Sequence, residues 1–85
     1  MRDTMNYDEI LHILKGAIAE MFDEDEESIT PDTLFIDDLY ADEFDAEELM
    51  MIAEEEFGIG PLTKKSIKNI ESVDDAVKFI LNEMK

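Results

Sequence analysis

Three stretches of this chain repeat apolar residues at the spacing of a helix, and each follows a residue suited to receive the free N–H groups of a first helical turn. Together these signals restrict the chain to a packing of helices. In the first stretch, Asn6 and Glu9 form a capping pair ahead of Ile10, Ile13, Leu14, Ala17 and Met21, which predicts a helix over about 7–22. Leu11, Ile18 and Phe22 widen its apolar stripe, as expected of a helix packed on more than one neighbour. Gly16 inside it costs about 1 kcal/mol relative to alanine, so it marks either a close helix contact or a plain loss of helix stability. In the second stretch, about 42–57, Asp42 supplies the cap and Gly58 stands where a left-handed C-cap belongs. There Leu49, Ile52, Ala53 and Phe57 give the core side, and Glu47, Glu48, Glu54 and Glu55 the wet side. The third stretch, about 73–84, is capped by Ser72 with Asp75 and turns Val73, Ala76, Val77, Ile80 and Leu81 inward.

Two connections need separate treatment. Residues 64–69, with Lys64, Lys65 and Lys68, are too few for an independent helix but enough for one or two turns. Residues 23–41 have no sustained period and are long for a connection inside a small domain, so their own side chains must hold them down. Ile29, Leu34, Phe35, Ile36 and Leu39 are the expected tie-down points, with three or more buried. No strand-like alternation, internal repeat or low-complexity linker interrupts the pattern. The expected architecture is all-α, one domain over residues 1–85, a bundle of three longer helices and one short one.

Eighty-five residues leave room for one core and no separate catalytic domain. Cysteine is absent, which excludes a disulfide framework, a thiolate nucleophile and a cysteine-based metal site. The formal net charge of −17 is concentrated: from Glu20 to Glu56 there are seventeen acidic residues and no basic ones. The rest of the chain carries seven of each sign. Nucleic acid and anionic membrane are therefore excluded as partners, and a protein with a basic docking patch is favoured. No stretch approaches the ~20 apolar residues of a membrane span, so a cytoplasmic monomer is expected.

The segment Phe35 to Phe57, FIDDLYADEFDAEELMMIAEEEF, resembles the acyl carrier protein family, whose motif runs F-x-x-D-L-G-x-D-S-L-D-x-V-E-L-V-x-x-x-E-E-x-F. Phe35, Asp38, Leu39, Asp42, Asp45, Glu48, Leu49, Glu54, Glu55 and Phe57 match it in spacing. A looser likeness runs on through Val73, Ala76, Val77, Phe79 and Ile80, so the resemblance covers about the whole chain. It implies an acyl-carrier-like helical bundle and partners among enzymes of fatty acid, polyketide or related thioester metabolism. The departures are Tyr40 for glycine, Glu47 for valine or isoleucine, and Asp42-Glu43-Phe44 for the Asp-Ser-Leu triplet. In the family that serine carries 4'-phosphopantetheine through a phosphodiester, a link that needs an alcohol oxygen. Glu43 offers a carboxylate, whose link to phosphate would be a labile mixed anhydride.

Three functions follow as expectations. The leading one is a non-enzymatic interaction protein without a prosthetic group, whose acidic second helix docks on a basic partner surface through Asp42, Glu43, Phe44, Glu47, Glu48 and Met51. The alternative is a functional acyl carrier holding 4'-phosphopantetheine, and a third is an acidic module responsive to divalent ions. Glu43 reads equally as drift, as a first-turn acid stabilising the helix dipole, or as a fixed charge where the phosphodiester would sit. Asp23, Asp25 and Glu27 open like a calcium loop, but Ser28 and Leu34 stand where its glycine and bidentate glutamate belong, so no specific metal site is expected. His12, the single histidine, has no recognisable catalytic partner. Met50 and Met51 point in different directions on the second helix, as contact residues or as core filling.

The charge block has a measurable consequence, because the compact state crowds like charges within a Debye length of about 10 Å at 0.1 M salt. Thermal melts should shift upward with added salt or millimolar magnesium or calcium; coincident melts at low and high ionic strength would refute the repulsion.

Overall fold

A reciprocal capping box opens each of the three α-helices. In the computed structural model, which describes residues 5–84, α1 spans Tyr7–Phe22, α2 Glu43–Phe57 and α3 Val73–Glu83. Asn6 pairs with Glu9, Asp42 with Asp45 and Ser72 with Asp75, each side chain accepting from the other residue's backbone N–H. Two first-turn N–H groups per helix are satisfied in this way, and acids stand at each positive dipole end. Gly58 closes α2 in the left-handed conformation, as expected; Asp23 does the same for α1 with φ 56°.

The bundle closes around α1 and α3, which pack together more extensively than α1 and α2. Ile10, Leu14 and Ile18 of α1 meet Val73, Val77 and Ile80 of α3, with Ala53 and Phe57 of α2 completing the buried core. Two expectations about the connections are corrected. Residues 64–69 run as turns, because only isolated bonds form there, such as Ser66 N–H to the Thr63 carbonyl. Three lysines in five positions also oppose a longer helix by mutual repulsion. Of the five tie-down residues in 23–41, Ile29 alone is fully buried; Leu34, Phe35 and Leu39 are half-buried and Ile36 is 71% exposed.

Backbone bonds do the work that those side chains were expected to do. Val73 N–H donates to the Thr33 carbonyl at 2.9 Å, Asp74 N–H to the Pro31 carbonyl at 2.9 Å, and Phe35 N–H to the Glu71 carbonyl at 3.0 Å. These bonds clamp residues 31–35 across the start of α3. The Tyr7 hydroxyl donates to Asp74, which also pairs with Lys78 at 3.0 Å, so the start of α1 is held to the start of α3. A 3-10 turn at Glu26–Ser28 lies within the segment expected to be irregular. Gly16 has no close helix contact: a Cβ there would meet only the Glu26 carboxylate at 3.9 Å, so its effect is loss of helix stability.

Tyr40 holds φ 56° while its side chain is 83% exposed. A left-handed backbone is costly for a bulky residue, and this one recovers nothing by burial. Its N–H bond to the Ile36 carbonyl and the Ala41 N–H bond to the Phe35 carbonyl keep the turn closed before α2.

Two measurements check these features. Tyr40→Gly should raise stability by about 1 kcal/mol, seen as a Tm increase of about 4–8 °C; an unchanged Tm would mean that the turn is unstrained. The second concerns α3, where the backbone N–H groups of Glu71 and Ser72 hold the Asp75 carboxyl below its usual range, and bonds from Tyr7 and Lys78 lower Asp74. Both groups are more acidic folded than unfolded, so their stabilisation is whole above about pH 4 and is lost as the pH falls through their folded values. Asp75→Asn should therefore melt below the wild type at pH 7, with the gap closing in acid.

Candidate functional site

The core side of α2 is short. Its Ala53 and Phe57 are buried while Leu49, Met50 and Ile52 are half-exposed, so its N-terminal half stands away from the other helices. A hollow of about 600 Å³ lies in that gap. Ala46, Leu49, Met50 and Ala53 of α2 form one wall, Ala76, Phe79 and Ile80 of α3 another, and Leu14 of α1 contributes. Phe35 and Ile36 close it on the loop side, and Leu62, Ile67 and Ile70 on the side of the final connection. Ala46, Ala53 and Ala76 leave the space, since each carries one methyl group where a core usually packs a branched side chain.

Charge is confined to the rim. Asp42 and Glu43 stand at the start of α2, and Lys64 and Lys68 face them from the turns of residues 64–69. Lys64 reaches Glu47 at 3.3 Å, while Lys68 has no ion pair among the described residues. Glu54, expected on the wet side, is half-buried, and its carboxylate accepts the Leu62 N–H at 2.7 Å. That bond straps the connection after Gly58 back onto α2 beneath the hollow. The chemical character is a greasy chamber with a polar mouth, suited to enclosing a hydrocarbon chain while its head stays in water.

The residues singled out for docking divide among three places. Asp42 and Glu43 line the mouth; Phe44 is 79% and Met51 61% exposed, seven residues apart on one outer face of α2. Glu47 is engaged by Lys64, and Glu48 faces the opposite side, where it lines a mixed groove between α1 and α2 with His12, Glu20 and Glu56 beside the apolar Ile13, Met21 and Ile52. Met50 is the methionine that faces the hollow. Among the described residues no group of three or more His, Cys, Asp or Glu is placed to hold a metal ion, and none of the helices is long and apolar enough to cross a membrane. The hollow was not read from the sequence, where Ala53 and Ala76 stood as ordinary core and Ala46 was not singled out; the recurrence of alanine on the inward faces of two helices was the available signal.

Searched against models of protein families, the chain matches none. It is 36% identical over 80 residues to an acyl carrier protein of Thermosynechococcus vestitus, an alignment covering 94% of this chain and 98% of that one. It is 43% identical over 72 residues to an acyl carrier protein of Caulobacter vibrioides, covering 85% and 91%. A solved structure of the Enterococcus faecalis acyl carrier protein superposes with a TM-score of 0.76 at 29% identity, over 93% of this chain and 99% of that one.

These likenesses overturn two expectations. An interaction protein that carries no acyl chain, and the absence of any prosthetic group, are both disfavoured by relatives named as acyl carriers over nearly the whole length. The expectation of a non-enzymatic protein stands, since the relatives are carriers. With this identity, this coverage and the same helical bundle, the chain belongs to the acyl carrier protein family.

Proposed function

We propose that this protein is an acyl carrier serving enzymes of fatty acid, polyketide or related thioester metabolism. The observation that carries the reading is the hollow of about 600 Å³ beside the start of α2. Burial of hydrocarbon there contributes about 0.8 kcal/mol per CH₂, enough to hold a chain of several carbons against water. Phe79, Ile80 and Met50 supply apolar contact along the walls, and the polar rim leaves the head group outside. The acids of α2 then lie beside the cargo, where a basic enzyme surface meets both together. Asp42, Glu43, Phe44, Glu47 and Met51 are the residues we assign to that docking, while Glu48, expected there from the sequence, stands on the other side of α2. Exposure of Phe44 and Met51 on one face supports an apolar centre ringed by charge.

In this reading Glu43 occupies the family's attachment position, as the spacing from Phe35 to Phe57 and its place just after the capping Asp42 indicate. The family's 4'-phosphopantetheine supplies a terminal thiol on which an acyl group is held as a thioester. The residues present fit the acyl end of such a group and not its phosphate end, because the Glu43 carboxylate cannot form the phosphodiester. What this chain's own residues do is enclose the chain, exclude water from it and present it next to a docking face.

The test uses Glu43→Ser, loaded by a broad-specificity phosphopantetheinyl transferase and then acylated. Intact mass should show one added group, and the acylated form should melt above the thiol form because the hollow is filled. Ala46→Leu in the same background should reduce that gain by occupying part of the space. Equal Tm values for thiol and acylated forms would refute the reading. On the wild type, fragment mapping of any added mass would place the attachment on a hydroxyl other than position 43.

A further inference from the structure

The mouth of the hollow has a charge pattern that the rest of the chain lacks. Basic residues are few, yet Lys64, Lys65 and Lys68 fall within five positions, and Lys64 and Lys68 line the rim. Elsewhere among the described residues only Lys15 and Lys78 are basic, and Lys78 is engaged by Asp74 at 3.0 Å. Lys64 is engaged by Glu47, but Lys65 and Lys68 have no ion pair among the described residues. The acid opposite is partly committed as well, since the Asp42 side chain accepts the Asp45 N–H as the helix cap. An available ammonium group therefore stands at the opening of an apolar chamber in a strongly acidic protein. An anionic head on a single hydrocarbon chain matches that arrangement: the chain enters the hollow and the head meets Lys68.

We infer that the hollow binds a free fatty acid non-covalently, with the carboxylate at Lys68 and the hydrocarbon running between α2 and α3. The inference rests on the acyl-carrier reading of the hollow and extends it to cargo that needs no bond to the protein. No covalent step is involved. Hydrocarbon burial sets the affinity, and the lysines set the choice of head, overcoming the overall negative field only at this rim. Asp42 and Glu43 confine the head to the lysine side by repulsion.

Dodecanoic acid, dodecanol and dodecyltrimethylammonium, each below its micelle concentration, separate the possibilities when titrated calorimetrically into the full chain. Dodecanoate is expected to bind one to one and about three- to fivefold more tightly than the alcohol, the worth of one exposed ion pair. Lys68→Gln, an exposed position whose replacement leaves the core untouched, should remove that preference while the alcohol's affinity stays the same. The inference is overturned if the cationic chain binds best, if acid and alcohol bind equally to the wild type, or if Lys68→Gln leaves the preference intact. Should none of the three bind while the acylated Glu43→Ser protein still gains Tm, this inference fails and the carrier reading survives. If the acylated form gains nothing either, both fail together.

Discussion

The second helix cannot be buried on more than a narrow stripe, and the form of the molecule follows from that limit. Its fifteen residues, EFDAEELMMIAEEEF, include seven carboxylates, and each would cost several kcal/mol to bury without a partner. Only Ala53 and Phe57 are buried in the core, with Leu49 packed against its edge. The helix is therefore anchored near its C-terminal end by the phenyl ring of Phe57 and stands off toward its N-terminal end, where Ala46 is too short to bridge the gap. The hollow is the space left by an anchored but highly charged helix.

Stability must then come from elsewhere, and it comes from α1 with α3. Ile10, Leu14 and Ile18 interlock with Val73, Val77 and Ile80, each large side chain contributing about 1.5–3 kcal/mol on full burial. The clamp of residues 31–35 onto the start of α3 and the Tyr7–Asp74 bond fix both helix starts relative to the loop. The bond to Asp74, with a smaller contribution from burial, holds the Tyr7 hydroxyl protonated up to about 12, so this tie persists through neutral pH. The pair of α1 and α3 thus holds the core, and α2 borders the hollow beside it.

Charges of both signs are arranged around the opening of the hollow. Acids cover the outer side of α2, where an approaching basic surface would be steered, and lysines are gathered on the opposite rim. The Lys64–Glu47 pair at 3.3 Å spans the two. It is exposed on both sides and so stabilises little. Glu54 is the stronger tie, because its carboxylate accepts a half-buried backbone N–H at 2.7 Å.

Local chemistry was legible from the chain alone. Asn6, Asp42 and Ser72 announced the helix starts, Gly58 announced a stop, and the apolar periods named nearly all of the core, because caps and periodicity act within a few residues. The family likeness was legible in the run from Phe35 to Phe57 for the same reason, being a matter of spacing along one helix and its approach. The exposure of Ile36 and Phe44, the strap made by Glu54 and the loss of helix at residues 64–69 depend on what lies across the fold. So does the hollow: three alanines on two helices look like core until their distance is set by Phe57 and the α3 clamp. The helices, their caps and the carboxylate at position 43 follow from the chain's own order of residues, through interactions a few residues long. That α2 stands off and that lysines gather at the mouth came from the folded packing, because both result from contacts between segments far apart in the chain.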